Sequence, residues 1–120
     1  MSSPESFEDL DAWKLARELT NEIYGFCRRD PLCRDFGLAD QIRRAAVSVM
    51  NNIAEGFGSV SDADFASFLN FARRSVFEVV NMLVLLKRDG YLGEADVSGL
   101  LSELEEQSKM ILAFHRRLKP

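Results

Sequence analysis

Residues 41–78 constrain the fold of this chain more than any other stretch, because they contain two helical patterns joined by a short turn. Apolar residues recur at three- and four-residue steps on both sides of a segment that contains Gly56 and Gly58. This spacing places one apolar stripe of each helix toward a common core. Two helices joined by so short a turn pack side by side as antiparallel neighbours. The stretch therefore predicts a helical hairpin.

Two further helices are predicted on either side of that hairpin. The predicted helices cover about residues 9–29, 38–57, 62–89 and 94–118. Pro31 ends the first and Gly58 caps the second, while Ser61 begins the third and Gly90 ends it. No alternating strand pattern competes. We therefore predict an all-α, antiparallel up-down-up-down four-helix bundle that forms a single domain over residues 1–120.

An ordered set of residues in this hairpin resembles a known family. The set is Gln41, Arg43, Arg44, Ser48, Asn52, Ile53, Ala54, Glu55, Gly56 and Gly58, followed by Phe65, Leu69, Ala72, Ser75 and Glu78. It is similar to the four-helix bundle proteins encoded in intervening sequences of bacterial 23S rRNA genes, a family that includes accessory proteins of diversity-generating retroelements. The resemblance covers nearly the whole chain. It implies a homopentameric ring around a central channel, with RNA or a nucleic-acid enzyme as a further partner, but no defined activity.

The composition fits one compact domain of acidic charge. The chain has 120 residues, 47% of them hydrophobic, which is enough to form a core without disulfides or metal. A net charge of -4 argues against a generally basic nucleic-acid coat and leaves room for a local basic patch. The first residues are acidic and lack an apolar run, so we expect no signal peptide and a cytoplasmic location.

The third helix carries more apolar residues than one core-facing stripe needs. They cover most of its circumference between Phe65 and Leu86. A membrane span is the alternative, but Arg73, Arg74 and Glu78 interrupt the pattern, and no run reaches about 18 apolar residues. Self-association, without a membrane partner, is the favoured interpretation, and the family resemblance implies that it forms a homo-oligomeric ring.

Polar residues form a line along the second and third helices. The predicted network consists of Gln41, Arg44, Ser48, Asn52, Glu55, Ser75 and Glu78. It is either a binding groove or a structural hydrogen-bond network between helices, and we favour the structural interpretation because buried polar groups must be paired. In an antiparallel hairpin Arg44 lies level with Ser75, so an ion pair between Arg44 and Glu78 is expected.

Basic residues gather at one end of the predicted bundle. The candidate nucleic-acid contacts are Arg28, Arg29, Arg43, Lys87 and Arg88. Several aspartates dilute this end, and cations at helix C-termini also complement the helix dipole without any ligand.

The sequence contains no recognisable catalytic or metal-binding set. Cys27 and Cys33 are expected to be free thiols, because His115 is the only histidine and nothing completes a zinc site. Glu55 and Glu78 fall too far apart along the helices to act as paired carboxylates. We therefore expect a protein that is not an enzyme and has no cofactor or metal. It is expected to act as an RNA-associated accessory protein or, alternatively, as a protein-interaction scaffold without nucleic-acid binding.

Overall fold

A computed structural model describes residues 4–118, and that part of the chain contains four long α-helices, two short 3-10 helices and no strand. The long helices are α1 (Asp11–Cys27), α2 (Phe36–Phe57), α3 (Asp62–Arg88) and α4 (Glu94–Leu118). The predicted all-helical class with four helices is confirmed. Residues 1–3 and 119–120 of the predicted domain lie outside the described range.

The first two helices differ slightly from their predicted bounds, because local caps decide where they begin. Residues Phe7–Asp9 form a separate 3-10 helix capped by Ser6, so α1 starts at Asp11 and not at residue 9. The carboxylate of Asp35 accepts a hydrogen bond of 3.2 Å from the backbone N–H of Leu38. This cap lets α2 begin at Phe36 and not at residue 38.

Both ends of α3 have the caps that its sequence indicates. The Ser61 hydroxyl accepts a hydrogen bond of 3.1 Å from the Asp64 N–H. At the other end Gly90 adopts a φ of 81°, in the left-handed region. The N–H of Tyr91 then reaches the carbonyl of Leu86 at 2.8 Å, and the Gly90 N–H reaches that of Lys87 at 3.2 Å. This pair of bonds is a Schellman motif, which ends the helix and turns the chain toward α4.

The four helices surround one hydrophobic core in the cyclic order α1, α2, α3, α4. Buried residues from all four form a single cluster. Neighbouring helices pack along their length, most extensively α2 with α3 and least extensively α4 with α1. The backbones of α1 and α3, and those of α2 and α4, stay apart among the described residues, with no Cα atoms within 8 Å of each other. Each helix therefore has two flanks that face neighbours and one side that faces outward.

Gly56 allows α2 and α3 to approach closely. A Cβ atom at this position would lie 2.7 Å from Cδ1 of Phe65 and 2.9 Å from Cβ of Phe68. As the sequence predicted, α2 ends at Phe57 and Gly58 is its cap. Gly56 is thus a buried packing position within α2, because no other residue leaves room for the two phenylalanines.

The core contains one glutamine that the apolar pattern does not reveal. Gln107 of α4 is fully buried, and its Nε2 donates a hydrogen bond of 3.1 Å to the carbonyl oxygen of Ala12 in α1. Its Oε1 has no partner among the described residues. Since an unpaired buried acceptor costs about 1–3 kcal/mol, Gln107 specifies the position of α4 against α1 more than it stabilises it.

Gly90, in the turn before α4, and Gly99, within α4, allow a paired test of these backbone arguments. We expect Gly90→Ala to lower the free energy of unfolding by about 1–2 kcal/mol, because its left-handed φ strains any Cβ-bearing residue. Gly99→Ala is the control: it lies inside α4 with open space around it, so alanine should stabilise the helix by up to about 1 kcal/mol. Urea unfolding at one fixed protein concentration measures both. Equal changes in the two variants would contradict the Schellman assignment.

Candidate functional site

Three of the predicted network residues meet at the middle of the α2–α3 contact. The hydroxyls of Ser48 and Ser75 lie 2.8 Å apart. Asn52 Nδ2 donates to the carbonyl oxygen of Ser48 at 2.9 Å and to its hydroxyl at 3.1 Å. All three side chains are partly buried. They form a compact hydrogen-bonded cluster that links the two helices, which we call the Ser48–Ser75 cluster.

The other four predicted network residues do not join this cluster. Gln41, Arg44, Glu55 and Glu78 are all exposed. The predicted ion pair between Arg44 and Glu78 is wrong: Arg44 instead binds Asp40 at 2.8 Å, with its side chain 81% exposed. Asp40 is one turn earlier on the same helix, so the pair forms without ordering a second helix or leaving water.

Carboxylates offset much of the predicted basic end. Arg29 forms two hydrogen bonds with Asp96, at 3.0 and 3.1 Å, and so joins the end of α1 to the beginning of α4. This hydrogen bond, together with one from the Gly93 N–H, holds the pKa of the Asp96 carboxyl below its ordinary value. Lys87 forms an ion pair with Glu94, and Arg34 with Asp30 at 3.2 Å. The five candidate contacts therefore do not form one continuous positive patch.

Two of those five residues have no ion pair among the described residues at this end, and one lies along the side of the bundle. Arg28 and Arg88 are exposed and make no ion pair within residues 4–118. Arg43 is not at the end: its guanidinium carbon lies 5.8 Å from the ring centre of Tyr24, in the groove between α1 and α2. Sequence analysis did not single out Tyr24, although it lies on the same side of α1 as Arg17 and Arg28 at seven- and four-residue steps.

The outer side of α3 carries four exposed apolar side chains. Phe71 is 47% exposed, Phe77 52%, Val84 38% and Leu85 39%. Within the described residues, no helix is both long and apolar enough to span a membrane. These side chains therefore remain in contact with solvent in the isolated chain. They belong to the broad apolar set on α3 from which the sequence predicted self-association.

The two cysteines are reduced and do not bind to each other. Burial raises the pKa of the Cys27 thiol, which donates a hydrogen bond of 3.7 Å to the carbonyl oxygen of Ala39. Cys33 donates to a carboxylate oxygen of Asp30 at 3.1 Å, and this bond raises its pKa. In the described part of the chain, no group of three or more histidine, cysteine or acidic residues has the arrangement of a metal site.

Comparison with known proteins identifies a family and a similar fold. Residues 8–113 match the sequence model of the family described as "23S rRNA-intervening sequence protein". The structure is similar to the crystal structure of a protein with unknown function from the S23 ribosomal protein family of Bacteroides thetaiotaomicron VPI-5482. The two are 24% identical with a TM-score of 0.81, and the match covers 88% of this chain and 95% of that one. At this identity the likeness concerns the fold alone. No curated protein matches the chain.

The Ser48–Ser75 cluster and the Arg44–Asp40 pair predict opposite results in mutagenesis. In a double-mutant cycle of Ser48→Ala and Ser75→Ala, we expect a coupling free energy of about 1 kcal/mol, because each change leaves the other hydroxyl without its partner across the helices. Arg44→Gln and Glu78→Gln should each change stability by no more than about 0.5 kcal/mol, since both side chains are solvated. Urea unfolding measures these four single variants and the double variant of each pair. A large coupling between Arg44 and Glu78 would contradict this assignment.

Proposed function

We propose that this chain, which belongs to the 23S rRNA-intervening sequence protein family, acts as a non-enzymatic scaffold that assembles into a homo-oligomeric ring through α3. The observation that carries the proposal is the set of exposed apolar side chains on that helix. Exposed apolar surface in contact with water is unfavourable, and covering it drives association. A second copy of the chain is the occupant that this surface fits.

The exposed side chains fall on two different flanks of α3. Ser75 marks the flank toward α2, because it binds Ser48, and Phe71 lies one turn before it on the same side. Arg73 marks the flank toward α4, since its Nε donates to Ser108 at 3.2 Å. Phe77 lies one turn after Arg73, whose guanidinium carbon is 5.2 Å from the Phe77 ring centre. By heptad spacing Leu85 falls on the flank of Phe71, and Val84 on the flank of Phe77.

This division favours a closed ring. If the Phe71 flank of one copy packs on the Phe77 flank of the next, the contact is heterologous, and each copy uses two surfaces that share one helix. Such surfaces face directions well under a half-turn apart, so successive copies rotate about an axis, as a closed ring requires. Surfaces on opposite sides of the bundle would instead extend into a filament.

A polar strip separates the two flanks of α3 and supports the same arrangement. The strip consists of Asn70, Arg74, Asn81 and Arg88, all exposed. In the proposed ring this strip faces the axis, so that the central channel is polar. The pentameric stoichiometry follows the family resemblance. End-to-start contacts between neighbouring helices, such as Arg29 with Asp96, support the antiparallel up-down-up-down arrangement of each copy.

The remaining parts of the proposal concern activity and location. The Ser48–Ser75 cluster is assigned to structure, and no catalytic role is proposed for it or for the exposed Glu55 and Glu78. Two free thiols are typical of a reducing compartment, which supports a cytoplasmic protein. Within this assignment no cofactor is required.

Association with RNA is a second candidate function, in which the ring is an accessory to an RNA or to a nucleic-acid enzyme such as a reverse transcriptase. The specific observation in its favour is that Arg28 and Arg43 lie away from the carboxylates that offset Arg29 and Lys87. The alternative of a scaffold without nucleic-acid binding differs in its salt dependence, because phosphate contacts weaken steeply as salt rises.

The ring proposal predicts which phenylalanines control assembly. We expect Phe71→Glu and Phe77→Glu each to convert the oligomer to monomers at micromolar concentration, because each places a charge in an apolar contact. Light scattering measures the mass against 13.6 kDa for one chain.

Phe36→Glu is the matched control for this prediction. Phe36 is more exposed than either residue, at 79%, but it begins α2 at the end of the bundle and lies outside the α3 flanks. The same substitution there should leave the oligomer intact. An unmodified chain that is monomeric would contradict the proposal, and so would dissociation by Phe36→Glu alone.

A further inference from the structure

The groove between α1 and α2 combines positive charge with an exposed aromatic ring. It has a volume of ≈ 420 Å³ and is lined by Tyr24, Asp40, Arg43, Arg44, Val47, Ser48 and Asn51. Tyr24 is 37% exposed at its centre, with the guanidinium of Arg43 beside the ring. The groove runs along the outer side of α2, and its lining includes none of the exposed apolar residues of α3 that the proposed ring covers.

Two further arginines extend the groove along α1. Hydrogen bonds from Thr20 to Ala46 and from Cys27 to Ala39 fix the register of the two helices. In that register Tyr24 lies level with Arg43, and Arg17 lies two turns before Tyr24 on the same side of α1. Arg28 follows Tyr24 by one turn. The cations therefore form a line of about 16 Å along the helix, from Arg17 to Arg28.

The charge of this groove differs from that of the rest of the molecule. Asp40 is its one lining carboxylate, and Arg44 neutralises it at 2.8 Å. Arg17, Arg28 and Arg43 make no ion pair within the described residues, so the groove retains net positive charge in a chain whose total is -4. The bundle end predicted from sequence lacks this property, because Asp96 and Glu94 offset Arg29 and Lys87.

We propose that the α1–α2 groove binds single-stranded RNA, with phosphates on Arg17, Arg28 and Arg43 and one unpaired base stacked beside Tyr24. The proposal rests on RNA association as the second candidate function and is independent of the ring. An aromatic ring between spaced cations is the arrangement that accepts unstacked bases, whereas a duplex keeps its bases inside and presents phosphates alone. Asn51 supplies a polar group at the edge of the same groove.

The test compares two double variants that remove the same charge from different places. Fluorescence anisotropy with a labelled ten-nucleotide single-stranded RNA is measured across a salt series. For the unmodified protein, log affinity should fall with log salt at a slope of about -2, as for three phosphates on a single strand. Arg17→Gln with Arg43→Gln should flatten this slope to about a third of its value and weaken binding at least ten-fold at low salt. Lys87→Gln with Arg88→Gln, at the bundle end, should change binding less than three-fold.

Tyr24 and the choice of probe separate stacking from general charge attraction. Tyr24→Ala should weaken binding about ten-fold and Tyr24→Phe should retain it, because phenylalanine keeps the stacking face. The duplex of the same sequence and poly-glutamate should both compete at least ten-fold less well than the single strand. Circular dichroism and light scattering on every variant check that the helices and the oligomer persist.

Four outcomes would overturn the groove proposal, and a fifth would overturn the ring alone. Equal losses from the two double variants would indicate charge attraction without a groove. Equal competition by poly-glutamate would assign the groove to an acidic protein, and equal competition by the duplex would exclude base stacking. If the unmodified protein forms a ring but binds none of these probes, RNA association fails while the ring proposal stands. If it is a monomer that binds the single strand, the ring proposal fails while RNA association stands.

Discussion

The close approach of α2 and α3 is the constraint on which the rest of this structure depends. Gly56 removes the side chain that would collide with Phe65 and Phe68, and the Ser48–Ser75 cluster fixes the register farther along the pair. With these two points set, α1 packs on the free flank of α2 and α4 on that of α3. The hydrogen bond from Thr20 to Ala46 is an example of the α1–α2 contact. The rings of Phe65 and Phe114, with centres 5.0 Å apart, are an example of the α3–α4 contact. The backbones of opposite helices, α1 with α3 and α2 with α4, stay apart on either side of the core.

The same packing order sorts the charges of an acidic chain onto different flanks. The α1–α4 flank collects carboxylates: Glu22 lies beside Glu18 and Glu103, and burial together with these neighbours raises the pKa of Glu22. The α1–α2 flank carries the arginines, and the outer side of α3 carries apolar and polar strips. One bundle thereby presents three surfaces of different chemistry. The net charge of -4 does not describe any of them, which is why composition alone is a poor guide to a partner here.

Local signals in the sequence predicted the helix ends well, and contacts between distant residues poorly. Ser61 and Gly90 act within a few residues of themselves, so their capping roles are visible in the sequence. Arg44 pairs with a carboxylate on its own helix, which requires less ordering than a partner on another helix. Gln107 looks like a surface residue in any hydropathy pattern. Its burial depends on the Ala12 carbonyl, which is far away in the sequence.

The roles of Tyr24 and of the α3 flanks likewise depend on contacts between helices, which the sequence pattern does not reveal. Helical periodicity placed apolar residues around α3, but only the contacts of Ser75 and Arg73 separate its two exposed flanks. The pairing of Tyr24 with Arg43 needs the α1–α2 register, which the loop at residues 28–35 does not encode locally. Sites built from two helices thus become visible only when the register is known.

The loose α1–α4 contact has a consequence for how this molecule opens. These are the first and last helices of the described chain, so they touch without a connecting turn, and Gly25 and Gly99 leave space between them. Arg29 and Asp96 join them at one end through an exposed ion pair, which adds little free energy. Local unfolding begins where buried contacts are fewest. Backbone amides along the α1–α4 contact should therefore exchange with solvent deuterium before those of the α2–α3 pair. In local unfolding α1 and α4 separate first, while α2 and α3 stay packed.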